Sequence, residues 1–167
     1  KYMAYVGSYS YTGKPKGNTV YDVDVENGKF VQPCEVEVDN SSYVIASKNG
    51  DTLYSIADEG VVAFRILQNG SLSRLNSAKI NGMRGCHLST DTGDKYIFVS
   101  GYHDGKTTIL RLRRDGGVGE IVDGVFHKGM GSVAERNFRP HITCTRRTPD
   151  HKYVLTADSG MDQVQIY

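Results

Sequence analysis

The residue types best suited to chemistry lie in one short stretch, residues 135–144, which reads ERNFRPHITC. A carboxylate or an imidazole can act as a base that activates water, and an arginine can stabilise an oxyanion or hold an anionic group. Glu135 or His141 is therefore the candidate base, and Arg136 is the candidate anion clamp. The structural alternative is that Glu135 and Arg136 form an ion pair and that Pro140 begins a strand.

A second histidine offers the same chemistry. His87 follows Cys86 at the start of another predicted strand, so His87 and His141 are predicted to occupy equivalent positions and to face one cavity. A buried histidine bonded to a backbone carbonyl fits His87 equally well. Arg84 and Arg139 bring positive charge close to the two histidines, and both are candidate substrate-binding residues.

No metal and no cofactor is expected. The adjacent pair Cys86-His87 and the spacing from His141 to Cys144 are not standard zinc spacings. The three cysteines, which include Cys34, form no disulfide framework, and this favours a reducing cytoplasm.

Composition narrows the class of protein. The chain has 167 residues, with 20 basic and 19 acidic side chains and a net charge of +1. This balance excludes nucleic acid as the main partner, because phosphate backbones need a basic face. No apolar run reaches membrane-spanning length, so no membrane association is expected. Eleven tyrosines and nineteen glycines favour an all-β protein.

An internal repeat organises the chain. A turn followed by an apolar strand occurs three times, as NGDTLYSIAD, TGDKYIFVSG and PDHKYVLTAD. Between these copies, the turns NGKF, NGSL and DGGV each follow another strand. One unit therefore holds four strands in just over forty residues, which is typical of a β-propeller blade. A β-sandwich has similar turns but lacks a four-strand unit at a fixed period.

The strand count predicts about half of a propeller ring. With strands A to D numbered from the channel outward, the chain reads B-C-D, A-B-C-D, A-B-C-D, A-B-C. We predict one N-terminal half-domain over residues 1–167, whose open edges are covered by a C-terminal half or by another chain. The predicted blades span about 1–37, 38–80, 81–126 and 139–167. The predicted strands include 3–7, 43–47, 53–57, 61–66, 96–100, 108–112, 153–157 and 163–167.

These residues also carry a family resemblance. The stretches YVGSYSYTGKPKG, GMRGCHLSTD, AERNFRPH and VLTADSGMDQVQIY resemble the bacterial lactonase family of seven-bladed propellers. That family includes a cytoplasmic 6-phosphogluconolactonase and is related to the fungal carboxymuconate-lactonizing enzyme. The resemblance covers the whole chain and about half of a typical member. It implies hydrolysis of a small anionic substrate such as a sugar lactone, in the cytoplasm.

One position departs from the family pattern. Members commonly read Pro-His-Ala-His-Ser where this chain reads Pro140-His141-Ile142-Thr143-Cys144, so Thr143 replaces the second histidine. The proton-transfer role then passes to another residue, or the propeller binds a ligand or a protein without catalysis. A cyclase or isomerase of the carboxymuconate-lactonizing type is a third hypothesis, since it needs the same anion clamp and proton shuttle. The loop before His141 is predicted to cross the channel mouth, where rigid blades present functional loops.

Overall fold

The computed structural model describes residues 2–11, 13, 16–132 and 137–167. These residues form only strands, turns and irregular segments. The strands are β1 (Tyr2–Gly7), β2 (Gly17–Asp24), β3 (Lys29–Glu37), β4 (Val44–Ala46), β5 (Thr52–Ala57), β6 (Gly60–Ile66), β7 (Leu72–Lys79), β8 (His87–Thr90), β9 (Tyr96–Gly101), β10 (Lys106–Leu112), β11 (Val118–Phe126), β12 (Ile142–Arg147), β13 (Val154–Asp158) and β14 (Gln163–Ile166).

The strands form four antiparallel sheets in chain order. Their orders are β1-β2-β3, β4-β5-β6-β7, β8-β9-β10-β11 and β12-β13-β14. The inner strand β8 packs against β4 on one side and β12 on the other, as successive inner strands do around a propeller channel. The prediction of an all-β partial propeller, with three strands in the first and last blades and four in the middle ones, is confirmed.

The predicted turns join the strands where the sequence places them. Gly70 and Gly116 have φ values of 86° and 87°, a left-handed conformation that favours glycine. A Cβ atom on Gly116 would lie 2.3 Å from Thr52 Oγ1, so this turn also needs glycine for space. Most predicted strand limits agree within one residue. The clearest difference is at 108–112, where β10 begins two residues earlier, at Lys106.

The core lies between the blades. Alternate residues of β5 point to opposite faces, so Leu53 packs towards the first blade beside Val38, and Tyr54 packs towards the third blade beside Ile97. All four residues are buried, and none is more than 4% exposed. Central strands covered on both faces explain the continuous apolar runs of the repeat.

The antiparallel topology gives the channel two distinct ends. At the end that we call upper, β5, β9 and β13 finish and β4, β8 and β12 begin. The opposite, lower end carries the turns that lead from each inner strand to the next strand outward. The connection between β11 and β12 lies at the upper end, as predicted. No helix in the described part of the chain is long and apolar enough to cross a membrane.

The two terminal sheets leave strand edges open. Among the described residues, β1 has no inner neighbour and β14 has no outer one, and Val164 and Ile166 on β14 are 63% and 66% exposed. We therefore expect residues 1–167, produced alone, to associate through these edges, because unpaired apolar strands recruit further strands. Sedimentation velocity measures this association. Val164→Lys should reduce it, and a monomer at high concentration would contradict the expectation.

Candidate functional site

His141 lies at the upper end of the channel, immediately before β12, and is 4% exposed. Its ring stacks on Tyr102, with centroids 4.2 Å apart and planes 15° apart. His141 Nδ1 lies 2.7 Å from the backbone oxygen of Tyr102. Because a carbonyl only accepts, Nδ1 carries a proton, and Nε2 is the ring nitrogen left to act as a proton acceptor. The contact thus selects the tautomer that a base acting through Nε2 requires.

A buried carboxylate holds the backbone of His141. Asp158, at the end of β13, accepts hydrogen bonds through Oδ1 from the amides of His141, Gly160 and Met161, at 2.8, 3.0 and 3.1 Å. Its Oδ2 accepts from His127 Nδ1 at 2.6 Å, and both side chains are fully buried. His127 follows β11, so Asp158 ties the start and the end of the long connection to one turn.

Arg84 lies at the centre of a second group of polar side chains at the upper end of the channel. It donates from Nη1 to Asp58 Oδ1 at 2.9 Å and from Nη2 to the Tyr11 hydroxyl at 2.6 Å. Its guanidinium also lies over the rings of Tyr9 and Tyr11, at 5.1 and 5.5 Å from their centroids. Burial lowers the pKa of Arg84, but the bonds to Asp58 and Tyr11 outweigh burial and raise the pKa above its usual value. Arg84 is therefore a fixed, permanently charged group.

The turn between β9 and β10 joins the two groups. Asp104 Oδ2 accepts from the amide of Met83, next to Arg84, at 2.9 Å. Tyr102, in the same turn, carries the stacked ring of His141. The structure thus places Arg84 and His141 on either side of one four-residue turn at the upper end of the channel.

His87 lies lower in the channel wall and does not match His141. His87 in β8 pairs with Ser100 of β9. Ala157 of β13 holds the place of Ser100 in the repeat, and it pairs with Cys144 of β12, so Cys144 is the residue equivalent to His87. The predicted equivalence of the two histidines is therefore wrong, because a bulge in β12 and the Pro140 turn place His141 three residues earlier.

The contacts of His87 also differ from those of His141. Its Nε2 lies 3.7 Å from Cys144 Sγ, and its ring lies 4.9 Å from that of Tyr43. Burial, with a smaller contribution from Arg146, lowers the pKa of His87. The ring is consequently neutral at pH 7, and it remains a candidate catalytic residue only as a base inside the channel.

The remaining candidates belong to the connection before β12. Glu135 and Arg136 lie outside the described residues. Arg139 is exposed and its guanidinium lies 5.5 Å from the ring centroid of Phe138, which in turn meets His141 edge-on at 6.3 Å. Arg139 therefore stays within the same group of side chains as His141 and is open to an anionic ligand.

Sequence reasoning missed the two aspartates that organise the site. Asp58 and Asp158 end the repeat copies NGDTLYSIAD and PDHKYVLTAD at the same position. In the structure Asp58 follows β5 and Asp158 is the last residue of β13, and Asp58 also accepts from Asn40 Nδ2 at 3.0 Å. The repeated aspartate was a usable signal, since Asp and Asn at strand ends commonly cap nearby backbone or side-chain donors.

The contact between Asp58 and Arg84 makes a testable prediction. Asp58→Asn removes the negative charge that offsets Arg84, so an anionic substrate should bind about fivefold more tightly, which corresponds to about 1 kcal/mol for a partly exposed pair. The measurement is KM or Kd for a phosphorylated lactone or its product, using the full-length protein. Glu59→Gln is the matched control, because Glu59 follows Asp58 and pairs instead with exposed Lys79 at 2.8 Å. Equal effects of the two variants would show that Arg84 does not meet the anion.

Taken with the sheets, this arrangement defines a β-propeller that carries a histidine and arginines at the upper end of its channel. Comparison with known proteins gives the family. The profile of the lactonase family, described as a seven-bladed beta-propeller, matches residues 3–167, and the chain belongs to this family.

Two relatives are about one-third identical to the chain over the aligned residues. A 6-phosphogluconolactonase of Bacillus subtilis is 34% identical over 100% of the chain and 49% of its own length. A crystal structure of a candidate 6-phosphogluconolactonase from Bacteroides fragilis is also 34% identical, with a TM-score of 0.88 over 98% of the chain and 47% of that protein. The chain thus spans about half the length of the relatives that it matches.

A more distant structure supports the fold alone. The periplasmic gluconolactonase PpgL of Pseudomonas aeruginosa has a TM-score of 0.89 at 23% identity, over 99% of the chain and 49% of that protein. This agreement shows that the four sheets are arranged as in a lactonase-like propeller.

Proposed function

We propose that the full-length protein hydrolyses a sugar lactone, with a 6-phosphogluconolactone as the preferred class of substrate. The observation that carries the proposal is the tautomer of His141, whose Nδ1–H is bound to the Tyr102 carbonyl so that Nε2 is the basic nitrogen. The family and the 6-phosphogluconolactonase relative support the same reaction. A cytoplasmic location and closure of the ring by a C-terminal half remain predictions.

In the proposed reaction, His141 Nε2 takes a proton from water while the water oxygen attacks the lactone carbonyl. The carbonyl oxygen becomes an oxyanion, which a neighbouring arginine stabilises. The tetrahedral intermediate then breaks its ring C–O bond. The leaving alkoxide takes the proton from the imidazolium, and the open hydroxy acid departs. The His141 ring therefore accepts one proton from water and donates it to the leaving group.

The residues around His141 support a division of roles. Arg84 lies beside the turn that holds Tyr102, Arg139 precedes His141 by two residues, and the sequence adds Arg136 and Glu135 to the same connection. We assign these arginines to the substrate phosphate and to the oxyanion. Thr143, which stands at the family's second histidine, is exposed and its hydroxyl donates to the Ala157 carbonyl at 3.3 Å. A hydroxyl is not a base at neutral pH, and of the candidate bases we assign the role to His141, whose Nδ1 is already bound to a carbonyl.

The test is lactone hydrolysis by the full-length protein, followed in a pH-stat. We expect 6-phosphoglucono-δ-lactone to open faster than its spontaneous rate, and unphosphorylated glucono-δ-lactone to open more slowly because it lacks the anionic group. Heat-unfolded protein provides the blank. Rates equal to the spontaneous rate for both lactones would remove the proposed activity, and equal acceleration of both would remove the role of the phosphate.

A further inference from the structure

The lower end of the channel holds a second polar cavity, at the opposite end of the inner strands from His141. Its volume is about 420 Å³, within the range of small-molecule sites. All three inner strands contribute to its wall, through Ala46 of β4, Ser89 and Thr90 of β8, and Arg146 of β12. The cavity therefore lies on the channel side of the blades.

Three basic side chains line this cavity. They are Lys48, Arg146 and Arg147, and the one acidic residue in the wall is Asp91. Asp91 is 3% exposed, and its Oδ1 accepts from the amides of Lys95 and Tyr96 at 2.7 and 2.8 Å. Its other oxygen lies 3.8 Å from Arg147 Nη1, so Asp91 offsets at most one of the three positive charges.

The other acidic side chains near the cavity accept hydrogen bonds from turn residues. Asp94 accepts from the amides of Lys48 and Asn49 at 3.0 and 3.1 Å, and Asp150 accepts from the hydroxyl of Thr148 at 2.5 Å. Within residues 2–11, 13, 16–132 and 137–167, no acid forms an ion pair with the side chain of Lys48 or Arg146. Arg146 also acts on His87, where it adds to the effect of burial in lowering the pKa of that ring.

We propose that this lower cavity is a second anion site, which binds a phosphate group through Arg146 and Lys48. An arginine fork suits the tetrahedral oxygens of phosphate, and lysine adds a point charge. The cavity is larger than a phosphate ion needs, so it also accepts a small phosphomonoester. The site is separate from the proposed lactone site, because the inner strands run between the two ends. It does not depend on the proposed activity.

The experiment is a calorimetric titration of the full-length protein with inorganic phosphate, and in a second arm with glycerol 3-phosphate, at constant ionic strength. We expect saturable binding in both arms. Arg146→Gln and Lys48→Gln should each weaken it about tenfold, which corresponds to the loss of one charge-assisted contact. Tighter binding of glycerol 3-phosphate than of phosphate identifies an ester as the ligand, and the reverse identifies the free ion.

Arg114→Gln is the matched control. Arg114 is an exposed arginine in the turn between β10 and β11 at the same end of the blade, and it lies outside the cavity wall. Its replacement should change phosphate affinity less than twofold. The proposal is overturned if the parent protein shows no saturable binding, or if Arg146→Gln and Arg114→Gln have equal effects.

A separate titration tests the upper end of the channel, because phosphate could also bind beside Arg84. If Arg84→Ala removes all phosphate binding and Arg146→Gln removes none, the ion binds at the upper end and the lower site is refuted. Lactone hydrolysis by Arg146→Gln is measured in parallel. A protein without lactonase activity that still binds phosphate through Arg146 would refute the proposed function and leave the lower site standing.

Discussion

His141→Asn is expected to lower kcat/KM for lactone hydrolysis by about 10²- to 10⁴-fold, the usual contribution of a positioned general base. The asparagine amide can replace the Nδ1–H donor that faces the Tyr102 carbonyl at 2.7 Å, but it has no basic nitrogen at the place of Nε2. The local fold should therefore survive while the proton acceptor is lost. Steady-state hydrolysis of the phosphorylated lactone measures the effect.

His103→Asn is the control for this prediction. His103 follows Tyr102 in the same turn, is exposed, and meets the Tyr102 ring edge-on at 5.5 Å. It shares the neighbourhood of His141 without the buried position or the carbonyl contact, so its loss should change kcat/KM by less than about threefold. If His141→Asn retains the parent's rate, His141 is a structural residue and His87 becomes the leading candidate for the base.

Asp158→Ala is expected to lower the free energy of unfolding by about 3–5 kcal/mol, the cost of removing one partner from a buried pair of this kind. The carboxylate serves four donors, the His127 ring and the amides of His141, Gly160 and Met161. Alanine would leave all four without this acceptor in a site that water does not reach. Denaturant unfolding of the full-length protein measures the loss.

Asp123→Ala provides the comparison for Asp158→Ala. Asp123 is an exposed aspartate on β11 that accepts a bond from the amide of Gly124 at 2.7 Å. Its replacement should change the unfolding free energy by no more than about 0.5 kcal/mol, as for other surface positions. A loss below about 1 kcal/mol for Asp158→Ala would falsify the view that Asp158 anchors the connection before β12.

The two predictions distinguish the catalytic role of His141 from the positioning role of Asp158. Asp158 touches the backbone of His141 and not its ring, so it is a positioning residue. Asp158→Asn keeps the size of the side chain and should restore part of the stability, while the altered turn still displaces His141. A variant that regains stability but not kcat would show that Asp158 sets the place of the imidazole.

Much of the fold follows from the order of residues along the chain. The repeated turns place glycines such as Gly70 and Gly116 where φ must be positive, and the apolar runs between them are strands buried on both faces. These signals are local, because a turn depends on its own residues and a short apolar run is visible in the sequence itself. The four-strand period and the unequal first and last blades were therefore predictable from the sequence.

The candidate site was predictable only in part. Residues 135–144 and Arg84 stand out by type, and the structure places His141 and Arg84 at one end of the channel. The sequence did not indicate that Tyr102 fixes the tautomer of His141, or that Asp58 offsets the charge of Arg84. It also wrongly placed His87 level with His141, since a β-bulge changes the register by a residue without any marked change in composition.

Residue types and repeat spacing thus determined the class of fold and indicated the stretch proposed to carry the chemistry. Tertiary structure alone decided which groups meet, because Tyr102 and His141, or Arg146 and Lys48, lie far apart in sequence and come together only when inner strands of successive blades pack around the channel. The charge and tautomer of each group depend on those distant contacts. Local sequence sets what a side chain is able to do, and the packing of the blades sets which partner, and which end of the channel, it serves.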